Sequence, residues 1–180
     1  MLIKETDWYK LYKHELETNT LLSKVRDFMR HNKPTSLPGK FNKGHNTWTF
    51  VCKDTYNYVN SLHSVRPLTS TTFVGEMDHA FTIWEMNTGS NLPPHIDASH
   101  NTAFVILPLI GRTRTSMHGT INESIDNNHK TPVFDSNMKT LDSVTYGTGE
   151  MIVVNNTQFI HSVKPLDHYR LVLQFNARKF

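Results

Sequence analysis

His95 and Asp97 stand two positions apart in the stretch Leu92 to Gly111, LPPHIDASHNTAFVILPLIG. In an extended segment that spacing sends both side chains off one face, where an imidazole and a carboxylate can converge on a single atom. The atom that suits them is a metal. A third ligand has to come from a strand folding back alongside, and His161 in NNTQFIHSV is the best placed candidate. Two imidazoles and one carboxylate on one face of an octahedral ion leave the other face open, an arrangement suited to Fe(II). A structural zinc site would tend to close with four ligands, often cysteines, and Cys52 is the single cysteine here. His100, five residues after His95, is the main rival ligand, followed by His118 and His168.

Arg170 lies nine positions after His161, in HYRLVLQF. A guanidinium binds a carboxylate through two parallel hydrogen bonds and keeps its charge when enclosed, so Arg170 suits either an organic acid or a salt bridge with Asp167 or another acidic side chain. The full set, His95-x-Asp97, His161 and then Arg170, in order and on expected strands, resembles the Fe(II)- and 2-oxoglutarate-dependent dioxygenase superfamily. The resemblance spans roughly Phe81 to Phe175. PHIDASHNTAFVILPL and NNTQFIHSV are similar to its compact branch of aspartyl/asparaginyl and prolyl hydroxylase-like enzymes.

The resemblance implies that His95, Asp97 and His161 are the metal ligands and the catalytic residues, that the metal is Fe(II), and that 2-oxoglutarate is the co-substrate, with its far carboxylate on Arg170 and ascorbate as reductant. It also implies hydroxylation of a C–H bond with release of succinate and carbon dioxide. An amino-acid or peptide substrate leads, and a nucleobase or nucleic acid is second. A cupin-like protein that holds a metal or small ligand without oxygen chemistry is the alternative from another class. The family usually places Ser or Thr two residues after this arginine, whereas this chain has Val172, so either a hydroxyl comes from elsewhere or the acid bound differs. Arg112 and Arg114 are alternative anchors.

Composition sets the bounds. A chain of 180 residues with 37% apolar residues has the size of one domain and enough for one core. No apolar run approaches a membrane span, and the N-terminus MLIKETDWYKLYKHE lacks the apolar block of a secretion signal. These features point to a cytoplasmic protein, of a cell or of an infected host, without a membrane partner. The net charge of +3 and pI near 9.0 are a mild excess of base spread along the chain, which allows a nucleic-acid partner without indicating one.

The elements that must position these residues follow from periodicity. Asp7 to Arg30 reads as two helices or one broken helix, from Trp8, Leu11, Tyr12 and Leu16 and then Leu21, Leu22, Val25, Phe28 and Met29. His31 to Asn46 reads as an exposed loop or a strand edge; the resemblance implies that Lys40, Phe41, Lys43 and His45, with Trp48 just beyond, are candidates for substrate contact. Asp54 is positioned to cap a short helix carrying Tyr58, Val59 and Leu62. Strands are expected at Thr47–Val51, Thr71–Val74, Phe81–Met86, Thr102–Ile110, Thr113–Met117, Glu150–Val154, Phe159–Val163 and Tyr169–Asn176, with a polar excursion over Asn122–Asp142. In the last strand Tyr169, Leu171, Leu173 and Phe175 alternate with Arg170, Val172, Gln174 and Asn176, which puts Arg170 on a mixed face. Many short strands with turn signals between them suggest a mainly β fold, a double-stranded β-helix (cupin-like jelly roll), with supporting helices within residues 1–65 and the β-helix core over 70–177 of a single domain, 1–180.

Overall fold

The computed structural model describes residues 1–34, 45–66, 79–96, 103–120, 134–135, 137–156, 158–165 and 167–180. In chain order the elements are β1 Leu2–Glu5, β2 Tyr9–Lys13, α1 Thr18–His31, β3 His45–Val51, α2 Lys53–Leu62, β4 Val65–Arg66, β5 Ala80–Met86, β6 Leu92–His95, β7 Ala103–Ile110, β8 Thr113–Thr120, β9 Asp142–Tyr146, β10 Glu150–Val154, β11 Phe159–Pro165 and β12 Arg170–Ala177. The expected Thr71–Val74 strand, the loop residues Lys40, Phe41 and Lys43, and most of the 122–142 excursion lie outside the described residues.

Two antiparallel sheets face each other as a double-stranded β-helix. The larger runs β1-β2-β10-β7-β12-β5-β3, with β4 also on β12, and the smaller runs β6-β11-β8-β9. β7 and β12 form its centre because both are apolar on both faces, as AFVILPLI and RLVLQF require. Their outward residues, Leu107, Leu171, Leu173 and Phe175, pack under Val25 of α1 and Val59 of α2. Their inward residues, Phe104, Ile106 and Val172, meet Val144, Tyr146 and Phe159 of the smaller sheet. Among the described residues no helix is long and apolar enough to cross a membrane.

One expectation is corrected. Residues 2–13 form a β-hairpin and only the second half of the 7–30 stretch is helical. Leu11 pairs with Ile152 and Tyr12 with Met151, so β2 extends the larger sheet beyond β10. Tyr9 and Leu11 enter the inner core while Tyr12 enters the outer one. Burial on both faces gives Trp8, Leu11 and Tyr12 the spacing of a helical stripe without a helix. Residues 1–65 thus supply three full strands of the larger sheet as well as both helices. Asp54 sits in the first turn of α2, whose cap position is Cys52.

Gly111 turns β7 into β8 with a φ of +78°, and a Cβ there would lie 2.7 Å from the His168 ring and from the Tyr169 carbonyl oxygen. Gly111→Ala is therefore expected to cost about 2–3 kcal/mol in urea unfolding, from the left-handed backbone plus displacement of a strand end.

Candidate active site

His95 ends β6 and His161 lies in β11, and the two are direct cross-strand partners. Residues opposite one another project from the same face, and the two imidazole centroids lie 4.4 Å apart. Both rings are buried, His95 at 6% exposure and His161 at 1%. The Nδ1 atoms face main-chain carbonyls, that of Pro93 at 2.7 Å for His95 and that of Phe159 at 3.3 Å for His161. A ring that donates from Nδ1 to a carbonyl carries its basic lone pair on Nε2, the tautomer a metal-binding histidine needs. Phe104 lies against His161 with centroids 5.2 Å apart and shields it from the large-sheet side.

Local irregularities aim these rings. β11 shifts register against β6 between His161 and Val163, where Pro93 and Pro94 cannot donate to the ladder, and against β8 between Ile160 and His161. Bulges of this kind re-aim a side chain beside a site. Asp97 and His100 lie outside the described residues. His118 is engaged elsewhere, with Nε2 against the Ser162 hydroxyl at 2.8 Å and Nδ1 against the Lys139 carbonyl at 3.2 Å, and the Nε2 of His168 accepts the Arg112 amide at 2.7 Å.

Arg170 is 2% exposed and begins β12, on the inner face. Its Nη1 donates to Met86 Sδ at 2.6 Å, and its Nε has no hydrogen-bond partner among the described residues. The ion pairs among those residues, Lys10 with Glu5 and His31 with Asp27, lie elsewhere. Burial weighs against the charge, and Tyr146 opposes that by its electrostatic interaction and by accepting a hydrogen bond from the guanidinium at its hydroxyl oxygen. The same burial pushes the Tyr146 phenol up. Tyr146 also meets Thr115 at 2.9 Å, oxygen to oxygen. Arg112 and Arg114, by contrast, are exposed, so of the three basic residues Arg170 is the one enclosed between the sheets.

The start of β12 is held from its other face. Tyr169 donates to Glu85 Oε1 at 2.8 Å, and the Asn46 amide donates to Glu85 Oε2 at 2.8 Å, tying β12, β5 and β3 together beside Arg170. Opposite this clamp, His45 pairs with Met86 and Met86 with Arg170, so the three side chains form one inward row. Trp84 lies next to it, edge-on to His45 with centroids 6.0 Å apart. Both His45 nitrogens, Trp84 Nε1 and Thr113 Oγ1 are buried without a hydrogen-bond partner among the described residues.

The missing hydroxyl thus has structural candidates in Tyr146, Thr113 and Thr115, which sequence reasoning did not single out. The alternation in TRTSM was the available signal, but it does not show which sheet the threonines face. Trp48 alternates to the other side from His45, packs in the outer core and donates its indole N–H to the Asn32 carbonyl at 3.0 Å. Tyr56 is likewise in the outer core, and the Tyr58 hydroxyl accepts the Glu15 amide. None of these three lies on the inner face.

Buried neutral histidines make the fold acid-sensitive. Burial lowers His14, His63 and His45, the last to about 4, with Arg170 adding to the effect on His45 and the Lys179 carbonyl opposing it on His63. Unfolding returns each to about 6.5. Above that value both states are neutral and stability is full; as pH falls from 6.5 towards 4 the unfolded chain takes up protons the folded one refuses. Melting temperature is expected to drop by roughly 5 °C between pH 7.5 and 4.5, and a pH series of thermal melts checks it.

No family model matches the chain, and no curated protein matches it by sequence. Solved structures do match in fold. A Pseudomonas putida prolyl-4-hydroxylase aligns over 94% of this chain and 92% of its own, with TM-score 0.56 and 14% identity. OsALKBH1 aligns over 99% and 100%, with TM-score 0.59 and 12% identity. The epimerase SnoN, solved with Fe3+, alpha ketoglutarate and nogalamycin RO, aligns over 94% and 78%, with TM-score 0.65 and 11% identity. The chain is a double-stranded β-helix protein. At the level of fold these neighbours bear out the expected double-stranded β-helix.

Proposed function

We propose that the chain is an Fe(II)- and 2-oxoglutarate-dependent oxygenase that hydroxylates a C–H bond of an amino-acid or peptide substrate. The observation that carries this reading is the pairing of two buried imidazoles at one level of the barrel interior with a buried arginine, lacking a carboxylate partner among the described residues, at another. Along β8, Met117 stands opposite His161, and Thr115 and Thr113 follow on the same face. Each step of two residues is roughly 7 Å. The acid anchor, where Thr115 meets Tyr146 beside Arg170, therefore begins one step from the histidines, about the reach of an extended five-carbon diacid.

Among the described residues, the paired imidazoles and the buried guanidinium support this reading of both groups. His95 and His161 would hold the metal through Nε2, and Asp97 would supply the carboxylate. Arg170, with Tyr146 beside it, would take the far carboxylate of the co-substrate, supplying the hydroxyl that Val172 cannot. Metal and co-substrate, when bound, supply the oxidation of a C–H bond with release of succinate and carbon dioxide. The protein's part is to orient them: Phe104, Ile106 and Val172 line the interior and keep water from it, and the Pro93 and Phe159 carbonyls hold the ligand tautomers.

The test is consumption of 2-oxoglutarate and formation of succinate with Fe(II) and ascorbate, screened over peptides, free amino acids and nucleosides, with slow uncoupled turnover as the baseline. Metal binding without any consumption of 2-oxoglutarate would leave a cupin-like holding protein. Turnover stimulated by nucleosides alone would move the substrate to the nucleobase class.

A further inference from the structure

We propose that His45 and Trp84 form a second wall of the acid-anchoring end of the barrel, and that His45 takes up a proton when a dicarboxylate binds there. This rests on the co-substrate reading above and adds residues and a pH dependence to it. The inner row His45, Met86, Arg170 crosses two strand spacings, about 10 Å from first to last; the Arg170 guanidinium reaches Met86 at its middle, and its charge acts on His45. Four groups at this end have polar atoms buried without a hydrogen-bond partner among the described residues: both nitrogens of His45, Nε1 of Trp84, Oγ1 of Thr113 and Nε of Arg170. Buried polar atoms normally find partners, and such a concentration at one place marks where a ligand completes the network. Trp84 and Arg170 can only donate, so the ligand they suit is an acceptor, and the guanidinium makes it an anion.

His45 decides how the proton count changes. Its neutral ring offers one donor and one lone pair, whereas the protonated ring offers two donors, matching a carboxylate better. Without ligand, burial first and the Arg170 charge second hold its pKa near 4. The groups around it from the neighbouring strands are Arg170 on β12, with Tyr146 of β9 against that arginine, while Met86 and Trp84 on β5 are uncharged and Glu85 points to the other face. A carboxylate that neutralises Arg170 removes the repulsion and adds an attraction, so the pKa of His45 rises on binding. Between the free and the bound value, binding takes up one proton and tightens up to about tenfold for each unit that pH falls.

The experiment is calorimetric titration of the full chain, loaded with Mn(II) in place of Fe(II), with 2-oxoglutarate at pH 6, 7 and 8, in pairs of buffers that differ in ionisation enthalpy. The expected result is uptake approaching one proton at the lower pH values, with affinity falling as pH rises. His45→Gln, which keeps a donor and cannot titrate, is expected to bind with no proton uptake and a flat pH profile, and Trp84→Phe to bind more weakly with the proton uptake retained. Binding by the unaltered protein without proton uptake, or uptake undiminished in His45→Gln, overturns the inference and leaves the co-substrate reading standing. Absence of 2-oxoglutarate binding at every pH overturns both.

Discussion

His161→Ala is expected to lower metal affinity by at least about a hundredfold and to abolish turnover. The ring is 1% exposed, stands 4.4 Å from that of His95, and has its Nδ1 turned to the Phe159 carbonyl. If it were only a core histidine, the substitution would cost stability through a cavity against Phe104 and leave metal binding as before. The two outcomes separate in one experiment, by following Mn(II) or Fe(II) binding together with thermal unfolding. His118→Ala supplies the comparison. It removes a buried ring bonded to Ser162 and Lys139 on the same sheet, so it is expected to lower melting temperature while metal affinity stays unchanged. Loss of metal in both variants would point to general damage to the smaller sheet and sink the ligand assignment.

Arg170→Met is expected to weaken 2-oxoglutarate binding by roughly a hundred- to a thousandfold, the scale of losing one partner of a desolvated, hydrogen-bonded charge pair. Metal binding is expected to persist, because the histidines sit on other strands. The same substitution is expected to leave the stability of the ligand-free protein equal or higher. A buried charge without a carboxylate partner disfavours the folded state, and an apolar side chain of similar length beside Met86 removes that cost. Stability and binding moving in opposite directions is the signature of a residue kept for a ligand. Affinity retained in this variant would transfer the anchor to Arg112 or Arg114, both exposed.

The parts of the fold that were legible in the chain are those where one strand's own pattern suffices. AFVILPLI, EMIVV and RLVLQF read as buried strands because unbroken apolar runs bounded by turns have few other resting places. The alternation in the last of these placed Arg170 and Val172 opposite Leu171 and Leu173, and the two cores divide Val172 from the leucines in that way. The β2 strand was not legible. Tyr9–Lys13 has apolar residues at helical spacing, and what makes it a strand is the free edge of β10 with which it pairs.

The candidate site divides along the same line. Residue types and order alone determined that His95, His161 and Arg170 were the groups to watch, since imidazoles and a guanidinium have few reasons to interrupt apolar strands. Only the tertiary structure decided that the two imidazoles are cross-strand partners and that His45, Trp84, Tyr146 and Thr113 gather about the arginine. Spacing along a chain states which face of its own strand a side chain leaves. Which other face it meets depends on register, on bulges such as those flanking His161, and on how two sheets close over one another.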